Sequence, residues 1–254
     1  MNQIHFRRGQ GFTLIEMAIV LLIVALAIGG GLSVISGQVE HQKFKETQKA
    51  LDEAKEAIVG YSVSHLAALR PYLPCPDRTT AGPPGTANDG VEDLNAGGTD
   101  CAVFEGNLPW VTLGLVGLDG WGNRIRYRVP NASAFTSRTT GFDLATNPAL
   151  AIELVVNNAV GTRLVTDVPF VLVSHGPNGW GAISGSGTAI GAPPGASLNE
   201  AENTDGDTIF VSNPPVATGL AGGEFDDIVT WLPSNLLFTR MLQAGVCVKT
   251  AACP

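Results

Sequence analysis

From Met17 to Val39 the chain runs for 23 residues without a charge, and Met17 to Ile28 is apolar without interruption. As a helix rising about 1.5 Å per residue, such a stretch spans a hydrocarbon core about 30 Å thick. The segment ahead of Phe12 contains Arg7 and Arg8 and no acid. Basic flanks stay on the cytoplasmic side, so the bulk of the chain is expected beyond the inner leaflet. A cleaved secretory signal needs a shorter apolar region and a small-x-small site, for which Ser33 to Gly37 is a poor match. Arg7-Arg8 alone does not make a twin-arginine signal. A plain anchor fits the length but leaves Glu16 unexplained, inside the apolar segment that begins at Phe12. A carboxylate within a bilayer costs several kcal/mol, so an acid there asks for a partner.

The string Gly11-Phe12-Thr13-Leu14-Ile15-Glu16 supplies one. It resembles the class III signal of type IV pilins and type II secretion pseudopilins: a short basic leader, Gly11 before the cut, Phe12 as new N-terminus and Glu16 at the fifth mature position. The resemblance implies that a prepilin peptidase cuts between Gly11 and Phe12 and that the new amine is methylated. Cleavage creates an ammonium that becomes buried, and a buried charge needs a counter-charge. Glu16 of one subunit then meets the Phe12 amine of another and fixes the offset between stacked helices. The plain alternative is a chance glutamate near the interface of an uncleaved anchor.

Helical periodicity continues past the apolar run. Phe44, Leu51, Ala54, Ile58, Tyr61 and Leu69 recur at three-, four- and seven-residue spacing, one face of a helix. Lys49–Glu53 and Lys43–Glu46 suit its solvent side, and Pro71 and Pro74 end the pattern. One helix is expected from Phe12 to about Leu69, with Gly29-Gly30-Gly31 as a weak point that serves close packing or local melting. His41 and His65 read as interface or core-edge residues of this helix rather than ligands. Beyond it the chain reads as β-rich. The run 124–129 alternates, so Ile125, Tyr127 and Val129 face a core while Arg124, Arg126 and Arg128 face away, as a solvated face or as a face that serves a binding head. Further strands are expected at 151–156, 168–174, 208–212 and 227–232, and a helix at 234–244 capped by Ser234. Asp119-Gly120-Trp121-Gly122 is echoed by Asn178-Gly179-Trp180-Gly181, two turn signals each covered by an aromatic.

The stretch from Leu118 to Tyr127 also resembles the D-x-W-G-x-x-x-x-Y strand entry of pseudopilins, with Gly120 where proline is usual. The fold expected is therefore α+β and pilin-like: a long N-terminal helix packed on an antiparallel β-sheet head with long loops. The chain divides into a leader at 1–11, a transmembrane or filament-core half of the helix at 12–38, its amphipathic half at 39–70, and a periplasmic or extracellular head at 71–254. The resemblance implies as partners other pilin or pseudopilin subunits, the prepilin peptidase and an inner-membrane assembly platform. It implies a single-pass inner-membrane protein with a cytoplasmic N-terminus, drawn later into an extracytoplasmic filament.

Four cysteines, Cys75, Cys101, Cys247 and Cys253, lie in the head, where an oxidising compartment favours disulfides. Three connectivities are possible; proximity in sequence favours Cys75–Cys101 and Cys247–Cys253. No C-x-x-C or close His pair supports zinc. Calcium is the candidate cation. Glu200, Glu202, Asn203, Asp205 and Asp207 crowd one stretch, and Asp226-Asp227 follow a Gly-rich turn. The set Glu202, Asn203, Asp205, Asp207, Asp226 and Asp227 offers oxygens for it, against the alternative of a solvated acidic loop. The major pseudopilins' calcium-stabilised loop late in the head raises the same idea by resemblance. Asn88-Asp89 with Glu92-Asp93 is a fainter candidate.

With 31 glycines and 16 prolines the chain has a surplus that belongs to loops, and with 44% apolar residues it is not disordered. A net charge of −8 argues against a general nucleic-acid binder. No G-x-S-x-G, Walker loop or H-E-x-x-H is present. Gly185, Gly187 and Gly191 miss a dinucleotide fingerprint by one residue, and Ser174-His175 is adjacent only in sequence. The function expected is structural and not enzymatic: a processed subunit of a type II secretion pseudopilus or type IV pilus. The alternative is a minor or tip pilin whose head binds a surface, a secreted substrate or DNA.

Overall fold

The computed structural model describes residues 12–130, 135–145, 154–216 and 222–248, and within the first helix the side chains of 27–36 lie outside the description. The chain forms two compact units, residues up to Lys43 and residues from Phe44 onward. The first helix, α1 (Leu14–Ser64), belongs to both.

In the first unit α1 begins at a capped end. Thr13 Oγ1 accepts the Glu16 N–H at 3.3 Å, and the Thr13 carbonyl accepts the Met17 N–H at 3.1 Å. Thr13 is thus the N-cap and Glu16 the third helical residue, an arrangement that satisfies orphan donors and puts an acid near the positive helix end. The side chains around and beyond this cap are open: Phe12 is 75% exposed, Leu14 94% and Leu26 70%. Among the described residues no helix is long and apolar enough to cross a membrane; the apolar run passes into 27–36.

In the second unit α1 presents its expected face. Leu51, Ala54, Ile58 and Tyr61 are buried, and Lys49 and Glu53 pair at 3.5 Å on the outside. The helix stops earlier than its apolar period suggested. Ser62 and Ser64 turn their hydroxyls onto the carbonyls of Ile58 and Gly60, a local competition that weakens helices. Ala68 and Leu69, at φ 49° and 69°, then form the turn between β1 (Leu66–Ala67) and β2 (Arg70–Pro71). Leu69 is exposed.

The main sheet is antiparallel throughout. Its order is β3 (Glu105–Asn107), β4 (Arg126–Arg128), β7 (Val171–Ser174), β9 (Ile228–Trp231). One side packs on α1: Ile125, Tyr127, Val129, Phe170 and Leu172 join Leu51 and Ile58 in one core, closed by Leu237 and Met241 of α4 (Ser234–Gln243). The opposite side alternates with it, as strand geometry requires. There Val171, Val173 and Val229 pack on Leu154, Val156 and Phe210. The last two lie in β5 (Val155–Asn157) and β8 (Ile209–Val211), a parallel pair flanked by antiparallel β6 (Arg163–Val165).

The arginines do not form a solvated face. Register puts Arg126 opposite Val173 and Arg128 opposite Val171, on the face whose β7–β9 half the small sheet covers; Arg126 is held there by Glu105, His175 and Gly181, and Arg128 by Glu105. Arg128 is only 6% exposed. Ser234 also differs from expectation. Pro233 holds the cap position of α4, and the Ser234 hydroxyl donates to the Asp167 carbonyl at 2.5 Å. The helix α2 (Trp110–Leu113) and α3 (Leu198–Glu202) are too short to leave a periodic signal.

Cys75 and Cys101 are bonded, across a separation of 26 residues. Cys247 is also in a disulfide, while Cys253, its expected partner, lies outside the described residues.

Candidate functional site

Gly11 lies outside the described residues, and Phe12 and Glu16 stand at the capped, exposed start of α1. The Thr13 cap uses the Glu16 backbone, which leaves the Glu16 carboxylate free of that task. The capping spacing T-x-x-E was legible in the string itself.

The D-x-W-G stretch is a fastening turn. Asp119 Oδ1 accepts the N–H groups of Trp121 and Asn123, each at 2.9 Å, and Oδ2 accepts the Ser174 hydroxyl at 2.7 Å. Gly122 takes φ 85° to close it, a conformation that suits glycine. Trp121 meets Phe44 of α1 edge to face, centroids 4.9 Å apart. Gly120 donates its N–H to Thr47 Oγ1 of α1 at 2.9 Å. Proline has no such donor, so the departure from the usual residue creates this bond. At the far end Tyr127 donates its hydroxyl to the Pro74 carbonyl at 3.0 Å, beside the Cys75–Cys101 bridge. The echo at Asn178 repeats the geometry, with Asn178 Oδ1 accepting the Trp180 N–H at 2.9 Å and Gly181 at φ 81°.

Three buried carboxylates converge behind that second turn. Oxygens of Glu200, Asp226 and Asp227 lie within 4.8 Å of one another. Glu200 Oε1 accepts the Asp226 N–H at 2.9 Å and Asn178 Nδ2 at 3.0 Å, and Asp226 Oδ2 accepts the Asn178 N–H at 3.2 Å. Glu200 Oε2 and Asp226 Oδ1 are buried without a hydrogen-bond partner. Gly176, at φ 54°, approaches so closely that a Cβ would sit 2.4 Å from Asp226 Oδ1. Burial, then the neighbouring Glu200, pushes the Asp226 carboxyl up to about 8; burial also raises Glu200. Oxygen ligands with uncompensated negative charge suit a hard divalent cation, and these residues fit one.

Of the six sequence candidates, Asp226 and Asp227 belong to this cluster, and Asn203 joins it by donating Nδ2 to Asp227 Oδ2 at 2.8 Å. Glu202, Asp205 and Asp207 stand outside it. Glu202 lies two residues past Glu200 on α3, about 200° around the helix, so the two acids point apart. Asp205 and Asp207 are exposed and cap their own turn. Glu200 takes the place expected of Glu202. Asp93 accepts the Arg78 N–H, and Glu92 accepts from Tyr61 at 2.8 Å and from Arg138. Ser174 and His175 bond different partners, Asp119 and Asp227.

Residues 6–32 match the family model of the prokaryotic N-terminal methylation motif, the class III signal of type IV pilins and pseudopilins. The motif supports a type IV pilin- or pseudopilin-like precursor, and the α+β architecture with its N-terminal helix and antiparallel sheets is consistent with a pilin-like fold. It implies processing by prepilin peptidase and assembly with other pilin subunits, and fits an inner-membrane-anchored precursor. No curated protein and no solved structure matches the chain.

Proposed function

We propose that this chain is a structural subunit of a type II secretion pseudopilus or a type IV pilus. The observation that carries the reading is the methylation motif at 6–32 standing on a capped helix whose first apolar side chains are open. Open apolar surface of this extent calls for cover: lipid before assembly, neighbouring helices after it.

In this reading the leader 1–11 is removed between Gly11 and Phe12, and the Phe12 amine is methylated. Residues 12–38 hold the subunit in the inner membrane with Arg7 and Arg8 on the cytoplasmic side before cleavage, and 39–254 lie outside. An inner-membrane platform then extracts it. Glu16 pairs with the Phe12 ammonium of a neighbour and fixes the axial offset, because either charge alone in the filament core is costly. The D-x-W-G turn and the Tyr127 anchor favour the pseudopilin branch. Calcium is the cation proposed for Glu200, Asp226 and Asp227, where it would supply the counter-charge that the orphaned oxygens lack.

Glu16→Ala tests the assembly role. It leaves the Thr13 cap intact, since that bond uses the backbone, so processing should persist while filament incorporation is lost. Normal incorporation of the processed variant would overturn the role.

A further inference from the structure

The face of the main sheet that carries Arg126 and Arg128 is divided. Its β7–β9 half is apolar and covered by the small sheet, whereas its β3–β4 half is polar and opens into a cavity of about 380 Å³. Arg124, Arg126, Arg128, Glu105, Asn107 and His175 line it. Among the described residues, three guanidinium groups therefore meet one lining carboxylate. Glu105 accepts from Arg126 with one oxygen and from Arg128, at 2.9 Å, with the other.

Their remaining hydrogen-bond partners among the described residues add no negative charge. Arg126 donates Nε–H to His175 Nε2 at 3.0 Å and an Nη2–H to the Gly181 carbonyl at 2.9 Å. Arg124 donates to the carbonyls of Val116 and Gly185 and stacks on Trp110, 3.6 Å from the ring centroid. Nε of Arg124 and of Arg128 are buried without a partner. Asp77 and Asp207 act on Arg124 and Arg128 electrostatically, but burial still lowers the basicity of both, with Arg126 adding to the effect at Arg128. Buried positive charge in excess of its counter-charge is costly unless a further anion is supplied.

We propose that this cavity binds a small molecule through an oxyanion, a carboxylate or phosphate group held by the Arg124–Arg126–Arg128 row. The guanidinium fork matches both groups in a bidentate fashion, and the volume lies within the range of small-ligand sites. Arg124 and Arg126 supply the accessible donors; Glu105 holds Arg126 and Arg128 in place and limits affinity by competing for them.

The test is calorimetric titration of the full chain, in zwitterionic detergent and buffer free of divalent cations, with inorganic phosphate and with succinate. Ionic strength is held constant with chloride. Saturable binding with Kd below about 1 mM is expected for at least one probe. Arg124→Gln should weaken it about tenfold, the loss of one charge-assisted contact. Glu105→Gln should tighten it severalfold, an effect that damage to the fold would not produce. Binding of phosphate alone assigns a phosphate-bearing ligand, and binding of succinate alone a carboxylate. No saturable heat with either probe, or binding that neither substitution moves, would overturn the proposal.

Discussion

Asp227 holds His175 in one tautomer. Oδ1 of Asp227 lies 3.3 Å from Nδ1 of His175, and both side chains are buried. Because His175 Nε2 accepts the Arg126 Nε–H at 3.0 Å, that nitrogen is unprotonated and the proton sits on Nδ1, donated to Asp227. The acidic cluster and the arginine row are thus joined through one imidazole. His175→Ala breaks both bonds and leaves a buried cavity, and is expected to cost about 2–4 kcal/mol. Urea unfolding of the full chain in detergent measures it; an unchanged midpoint would mean the imidazole contributes little.

Calcium should raise the melting temperature of the full chain, and chelation should lower it again. A cation at a hundred times its Kd adds about 2.7 kcal/mol to the folded state. Glu200→Gln and Asp226→Asn should each abolish the increment, whereas Asp205→Asn should leave it nearly intact because Asp205 only caps its own turn.

Asp77 gives the head a pH dependence of definite sign. Its carboxyl is pushed up to about 6, chiefly by burial, while Oδ2 accepts from Gly90 and Asn107 and Oδ1 has no partner. A folded value above the unfolded one means the folded state holds the proton longer, so this contribution to stability is full below about pH 4 and is lost as pH rises through about 6. Asp77→Asn should flatten that part of the stability profile, read as melting temperature between pH 4 and pH 7.5 at fixed calcium.

Replacing Cys75 and Cys101 together by alanine should destabilise the head by about 3 kcal/mol, since their separation of 26 residues closes a sizeable loop in the unfolded chain. Denaturant melts of the double variant against the oxidised parent provide the comparison. A variant as stable as the parent would shift the credit to the Glu92 contacts with Tyr61 and Arg138.

How much of this was legible follows the range of the interactions. The helix and the core side of 124–129 announce themselves by period, which depends on neighbours a few residues away. The two Asx-Gly-Trp-Gly turns did so for the same reason. The arginine row departs from its expectation because alternation says which residues share a face but not what meets them there; Glu105, His175 and Gly181 reach it from distant parts of the chain. Glu200 was hidden likewise. Its stretch was marked as acidic, but only the helical phase of a five-residue α3 separates it from Glu202. The Gly120–Thr47 bond spans 73 residues of chain and leaves no local trace.

The mass of the mature N-terminus tests the central claim most directly. The chain is purified from a host carrying a prepilin peptidase, and its terminal peptide is sequenced by mass spectrometry. The account predicts a chain that starts at Phe12 with a methylated amine. A chain that retains Met1, or one cut anywhere other than after Gly11, would contradict it.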